Sequence, residues 1–153
     1  MATVPNIAMG KDVTAGTLVG MTKGATGLLT ASGSPVSILA WYENINPSRK
    51  RGMAQPSPTF SPYDNNVPTS SGTDFDITGY VMENDVAGTP TNVVSDLFDA
   101  FDYVKLVYTR AGRVITYIGT PSGYKEIQRE KNEIKFEFNL LMVDIGGPNP
   151  AYS

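Results

Sequence analysis

The sequence contains no cysteine and no histidine. Without cysteine there is no disulfide framework, no thiolate zinc site and no thiol nucleophile. Without histidine the commonest general base, the commonest metal ligand and the Ser-His and Cys-His pairs are all excluded. Carboxylate, lysine or tyrosine chemistry would have to carry any reaction, so a non-catalytic role is expected, with no catalytic residue, metal or cofactor assigned. Long apolar runs are also missing, and none approaches the roughly 18 residues that a membrane-spanning helix needs. The opening MATVPNIAMGKDVTAG lacks the charged and then apolar regions of a secretory signal, which points to a chain made in a cytoplasm. Sustained basic stripes are absent too, and with a sequence pI near 4.8 sequence-specific duplex binding is not expected.

What is present is acid sorted along the chain. From Thr73 to Asp102 lie Asp74, Asp76, Glu83, Asp85, Asp96, Asp99 and Asp102 with no Lys or Arg, while the flanking segments are each mildly basic. The formal net charge of -3 therefore conceals a basic, acidic, basic layout. Such sorting makes one surface complementary to another copy of the same chain, which favours assembly over catalysis. The 153 residues suffice for one domain with a sizeable core, and 15 Gly and 11 Pro favour short strands and loops.

Residues 1–35 are rich in Gly, Ser, Thr and Ala and are expected to form either an arm tied down by a neighbouring subunit or a first hairpin, Thr17–Thr22 with Gly27–Ala31. A core domain is predicted over 36–144 and a tail over 145–153. Val36 to Ile45 reads as a strand apolar on both faces, with Trp41 and Tyr42 in the core, ended by Asn46-Pro47-Ser48. A long segment, 52–72, carries Pro56, Pro58, Pro62 and Pro68 and predicts an extended hairpin or arm reaching a neighbour. Phe75, Ile77 and Val81 alternate with Asp74, Asp76, Thr78 and Tyr80 as a half-buried strand, with a bulge at Gly79. After a loop at Glu83 to Gly88, Thr89-Pro90 begins a helix over 90–102 with Val93, Val94, Leu97, Phe98 and Phe101 inward and Asp96, Asp99 and Asp102 outward. Val104 to Thr109 and Arg113 to Ile118 form a hairpin turning at Ala111-Gly112. Thr120 to Gly123 reads as the next turn, Lys125 to Glu133 as a charged strand or one helical turn, and Ile134 to Met142 as the last strong strand.

The glycines between Gly16 and Gly27 lack both phosphate-loop patterns and read as turns. Asp74 and Asp76 share a strand face. They could mimic a glycosidase pair or a Ca²⁺ site, but with no second carboxylate strand they read as a solvated or subunit-facing surface. Arg49, Lys50 and Arg51 could grip nucleic acid but make a small patch, and a salt-bridging contact with the acidic block of another copy is at least as strong an expectation.

This order of elements, with the segments FDITGYV (Phe75 to Val81) and IKFEFNLLMV (Ile134 to Val143), resembles the tail tube proteins of long-tailed bacteriophages and contractile injection machines over residues 36–144. The resemblance implies a β-sandwich or barrel-like fold with one flanking helix and extended arms. It further implies hexameric rings whose joined sheets form an inner barrel, stacking head to tail with bridging loops or arms. The implied role is a virion structural protein assembled in the host cytoplasm, with itself, other virion proteins and passing DNA as partners. Arg49, Lys50, Arg51 and the four prolines Pro56, Pro58, Pro62 and Pro68 are then interface candidates. Asp74, Asp76, Glu83 and Asp85 are favoured for the channel wall over Asp96, Asp99 and Asp102, because sheets face the channel in that family. Two other classes fit the same composition: a capsid decoration or head-tail joining protein, and a carbohydrate-binding module.

Overall fold

The computed structural model describes residues 13–38, 42–55, 67–81, 93–128 and 130–153. The described elements are β1 (Val13–Lys23), β2 (Leu29–Ser37), β3 (Tyr42–Ala54), β4 (Val67–Tyr80), α1 (Val93–Ala100), β5 (Tyr103–Arg110), β6 (Arg113–Ile127), β7 (Lys135–Met142) and β8 (Ala151–Tyr152). Seven strands form one antiparallel sheet in the order β2-β1-β5-β6-β7-β4-β3, and β8 pairs with β6. The alternation read from sequence is what places the core: Val104, Leu106 and Tyr108 on β5, Ile115 and Tyr117 on β6, and Phe136, Phe138 and Leu140 on β7 are all buried.

The fold turns on β6, a 15-residue strand that changes partners midway. Its first half pairs with β5 and its second half with β7, and Gly119 takes part in both ladders, opposite Val104 and Met142. A Cβ at Gly119 would stand 2.7 Å from the Tyr117 ring and 2.9 Å from the Leu141 carbonyl oxygen, so only glycine fits this crossing. The sheet folds over on itself there, giving two layers, β2-β1-β5 with the start of β6, and the end of β6 with β7-β4-β3. Phe75 of β4 reaches Tyr108 of β5 across the layers, with ring centroids 6.2 Å apart. Helix α1 closes one side: Val94 and Leu97 are buried, and Phe98 and Phe101 pack on the core. Gly20 of β1 admits the Phe101 ring, where a Cβ would lie 2.3 Å from it.

Several expectations are corrected in detail. The expected strand from Val36 to Ile45 divides, β2 ending at Ser37 and β3 beginning at Tyr42. Between them Ile38 is buried and donates its N–H to the Gly16 carbonyl. Trp41 lies outside the described residues. Asn46-Pro47-Ser48 does not end a strand, because β3 is an edge strand, with one side of its backbone unpaired among the described residues, where a proline is tolerated. Thr120 to Gly123 is not a turn but a bulge within β6, between the pairs Pro121↔Leu140 and Gly123↔Asn139. The irregularity opposite Gly79 is carried by β3, where Glu43 is the extra residue between Tyr42↔Gly79 and Asn44↔Thr78. Lys125 to Ile127 completes β6 and a turn follows it. The β5–β6 hairpin turns at Ala111 and Gly112, both at positive φ.

Candidate assembly surfaces

The layer built from β3, β4, β7 and the end of β6 has two unlike faces. Phe75, Ile77, Phe136, Phe138 and Leu140 point into the core. Residues directly opposite in register share a face, so the other face carries two polar rungs. One is Asn46, Asp76 and Asn139, and the next is Asn44, Thr78, Glu137 and Lys125. Asp76 is exposed and Asp74 half-buried on this side.

Lysines at this layer are matched by carboxylates. Lys50 of β3 lies 2.8 Å from an Asp74 carboxylate oxygen, and Lys135 of β7 lies 3.0 Å from Glu43. Each ammonium is held above its ordinary pKa, first by the hydrogen bond to its carboxylate and then by the charge attraction. Asp74 also accepts the Met142 backbone N–H at 3.2 Å, tying β4 to the end of β7.

Arg49 and Arg51 project from the other face of β3. Together with Lys50, Ser71, Gly72, Thr73 and the 142–149 segment they line an open groove of about 650 Å³. Arg49 donates to the Tyr152 hydroxyl at 3.5 Å, and Arg113 stacks over the Tyr152 ring at 5.5 Å. Arg51 is exposed and has no partner among the described residues. The groove's far wall is held by Asn149, whose side-chain amide donates to the carbonyls of Ile118 (2.7 Å) and Val143 (2.8 Å) and accepts the Ile118 N–H (3.0 Å). From that anchor Ala151 and Tyr152 pair with Thr116 and Ile115.

The predicted residues thus separate. Arg49, Lys50 and Arg51 share one groove, and Lys50 finds its carboxylate, Asp74, within its own chain. Asp96, Asp99 and Asp102 lie exposed on and just after α1, on a different part of the molecule from Asp74 and Asp76. Pro68 is exposed on β4. Pro56, Pro58, Pro62, Glu83, Asp85, Thr89 and Pro90 lie outside the described residues. The sequence reading passed over Asn149 and Tyr152, because a polar residue before proline in a glycine-rich end carries no periodic signal. It also missed Glu43 and Lys135, whose pairing depends on register. Among the described residues no cluster of three or more metal-ligating side chains occurs, and no helix is long and apolar enough to cross a membrane.

This two-layered sheet, with one flanking helix among the described residues, is shared with solved structures of tails and virions. No protein-family model and no curated protein matches the sequence, but solved structures share its architecture. One chain in the tail of an empty gene transfer agent (GTA) particle, refined with C6 helical symmetry, superposes with a TM-score of 0.56 at 13% identity, covering 96% of this chain and 98% of that one. A chain in the virion of a native gene transfer agent particle gives 0.60 at 9% identity over 96% and 98% of the two chains. The SPP1 tail tube gives 0.59 at 14% identity, over 90% of this chain and 77% of that chain.

Proposed function

We propose that this chain is a virion structural protein, the subunit of a tail tube whose copies close into stacked rings around a DNA channel. The observation that carries this reading is the unlike pair of faces on the β3-β4-β7-β6 layer. Its inner face is covered by the core, by the second layer and by α1, whereas its outer face is polar and has nothing over it among the described residues. A closed ring of such layers would present that polar face to the lumen. The backbone edges of β3 and of the end of β6, unpaired among the described residues, supply two different patches that meet in a ring, a heterologous contact that closes under rotation. The shared fold with a chain of a C6-symmetric tail supports the same reading.

On this reading Asp74 and Asp76 belong to the channel wall, and α1 with Asp96, Asp99 and Asp102 belongs to the outside. A wall that lets duplex DNA slide must not grip phosphate, since each unpaired Lys or Arg adds affinity. The pairing of Lys50 with Asp74 and of Lys135 with Glu43, and the position of Lys125 opposite Glu137, fit that requirement. The segment spanning 52–72, with its prolines, is assigned to contacts between rings.

Negative-stain electron microscopy of the purified protein at micromolar concentration tests the reading. Rings or tubes with an open centre are expected. A monomer at all salt and protein concentrations would overturn it, and single rings or trimers that never stack would move the chain to a head or joining position.

A further inference from the structure

We infer that the groove beside Arg49 and Arg51 is the seat for the acidic face of helix α1 from a second copy of the chain. The inference rests on the self-assembly reading and goes beyond it by naming both halves of one contact.

Three observations converge. The first is which charges are free. Lys50, which also borders the groove, is committed to Asp74 on the neighbouring strand. Asp144, the groove's own acidic residue, accepts the Gly146 N–H at 2.9 Å. Among the described residues Arg51 has no hydrogen-bond or ion-pair partner, and Arg49 donates only to the neutral Tyr152 hydroxyl. On and just after α1, Asp96, Asp99 and Asp102 are exposed, and none has a partner among the described residues. Two sets of unpaired, opposite charge on one chain are the signature of a heterologous contact.

The second observation is spacing. The β3 register is unbroken from Asn44 to Gly52, so Arg49 and Arg51 lie on one face about 6.6 Å apart along the strand. Asp96 and Asp99 stand one helical turn apart, about 5–6 Å between Cβ atoms. Each guanidinium can therefore meet one carboxylate in the forked geometry that makes Arg–carboxylate pairs strong.

The third observation is that the described acidic residues of one chain do not fill its own groove. Helix α1 packs on β1 and β6 through Val94, Leu97, Phe98 and Phe101, and no α1 residue lines the groove. Moving it there would strip the core of those side chains. The strand acids are unsuited as occupants, because Asp74 is already paired and Asp76 sits within the polar rungs of its own sheet.

The test is a charge exchange in the full-length chain, read by sedimentation and electron microscopy. R49E/R51E and D96K/D99K should each raise the concentration needed for assembly by about tenfold or more, and the four-fold variant carrying both reversals should return it toward the wild-type value. Added salt should weaken wild-type assembly, as the pairs are screened over about 8–10 Å. Circular dichroism controls for folding, and R51E alone, at an exposed side chain with no hydrogen-bond or ion-pair partner among the described residues, repeats the test with less risk to the fold. Variants with either reversal that form tubes as well as the wild type would overturn this contact while leaving the tube reading intact. A wild-type chain that never assembles would overturn both. Unchanged assembly with loss of retention of a duplex DNA probe in R49E/R51E would assign the groove to nucleic acid instead.

Discussion

Phe75 and Tyr117 lie ring to ring, centroids 4.4 Å apart and planes at 49°, although β7 separates their strands in the sheet order. The contact joins the two layers, and both side chains are fully buried. Phe75→Ala would remove the ring from the centre of the fold and leave a cavity against Tyr117 and Tyr108. A loss of about 3–5 kcal/mol is expected, measured by urea unfolding of unassembled subunits.

Burial acts differently on the Tyr117 hydroxyl, which has no hydrogen-bond partner among the described residues. Desolvation raises its pKa well above the usual tyrosine value, and the charge of Asp74 adds to the rise; burial also raises Tyr108. In the unfolded chain both ionise near pH 10. Their folded pKa values are higher, so the stability they contribute is fully present below about pH 10 and is lost as pH climbs from there toward the folded values. Phenolate absorbance should therefore show these two tyrosines ionising together with unfolding, and Y117F should flatten the alkaline loss while changing neutral-pH stability by about 1 kcal/mol or less.

Asn149 satisfies three backbone groups of β6 and the β7–β8 segment with one side chain. Asn149→Ala leaves those part-buried groups to find other partners. A cost of about 1–3 kcal/mol is expected, together with faster amide hydrogen exchange over Ala151 to Ser153, which β6 holds through two residue pairs and the Ser153–Val114 backbone bonds.

The channel reading makes a charge prediction. Asp76→Lys places an unmatched cation in the middle of the polar rungs, and Asp74→Asn frees Lys50. Tubes of either variant should retain duplex DNA at low salt and release it as salt rises, whereas wild-type tubes should not retain it. Equal behaviour of all three would remove Asp74 and Asp76 from the channel wall.

Much of this fold is legible in the sequence because burial on one side of a strand imposes a period of two. Phe136, Phe138 and Leu140 announce β7, and Val104, Leu106 and Tyr108 announce β5, without any knowledge of their partners. The positive-φ turn at Ala111-Gly112 and the outward Asp96, Asp99 and Asp102 on an amphipathic helix are local features and are read the same way. Those residues specify their own geometry, or the side of an element that must avoid water. What only the tertiary structure decided depends on neighbours. Pro47 looks like a strand terminator until β3 is found at a sheet edge. Pro121 looks like a turn until β6 is seen to change partners at Gly119. Lys50 looks like a free cation until register sets it diagonally across from Asp74, two residues along from its direct partner Gly72, and Asn149 looks like part of a loose tail until it meets Ile118, 31 positions away. Strand order and register are set by which nonlocal surfaces bury together, a choice made by the whole chain that no single segment encodes.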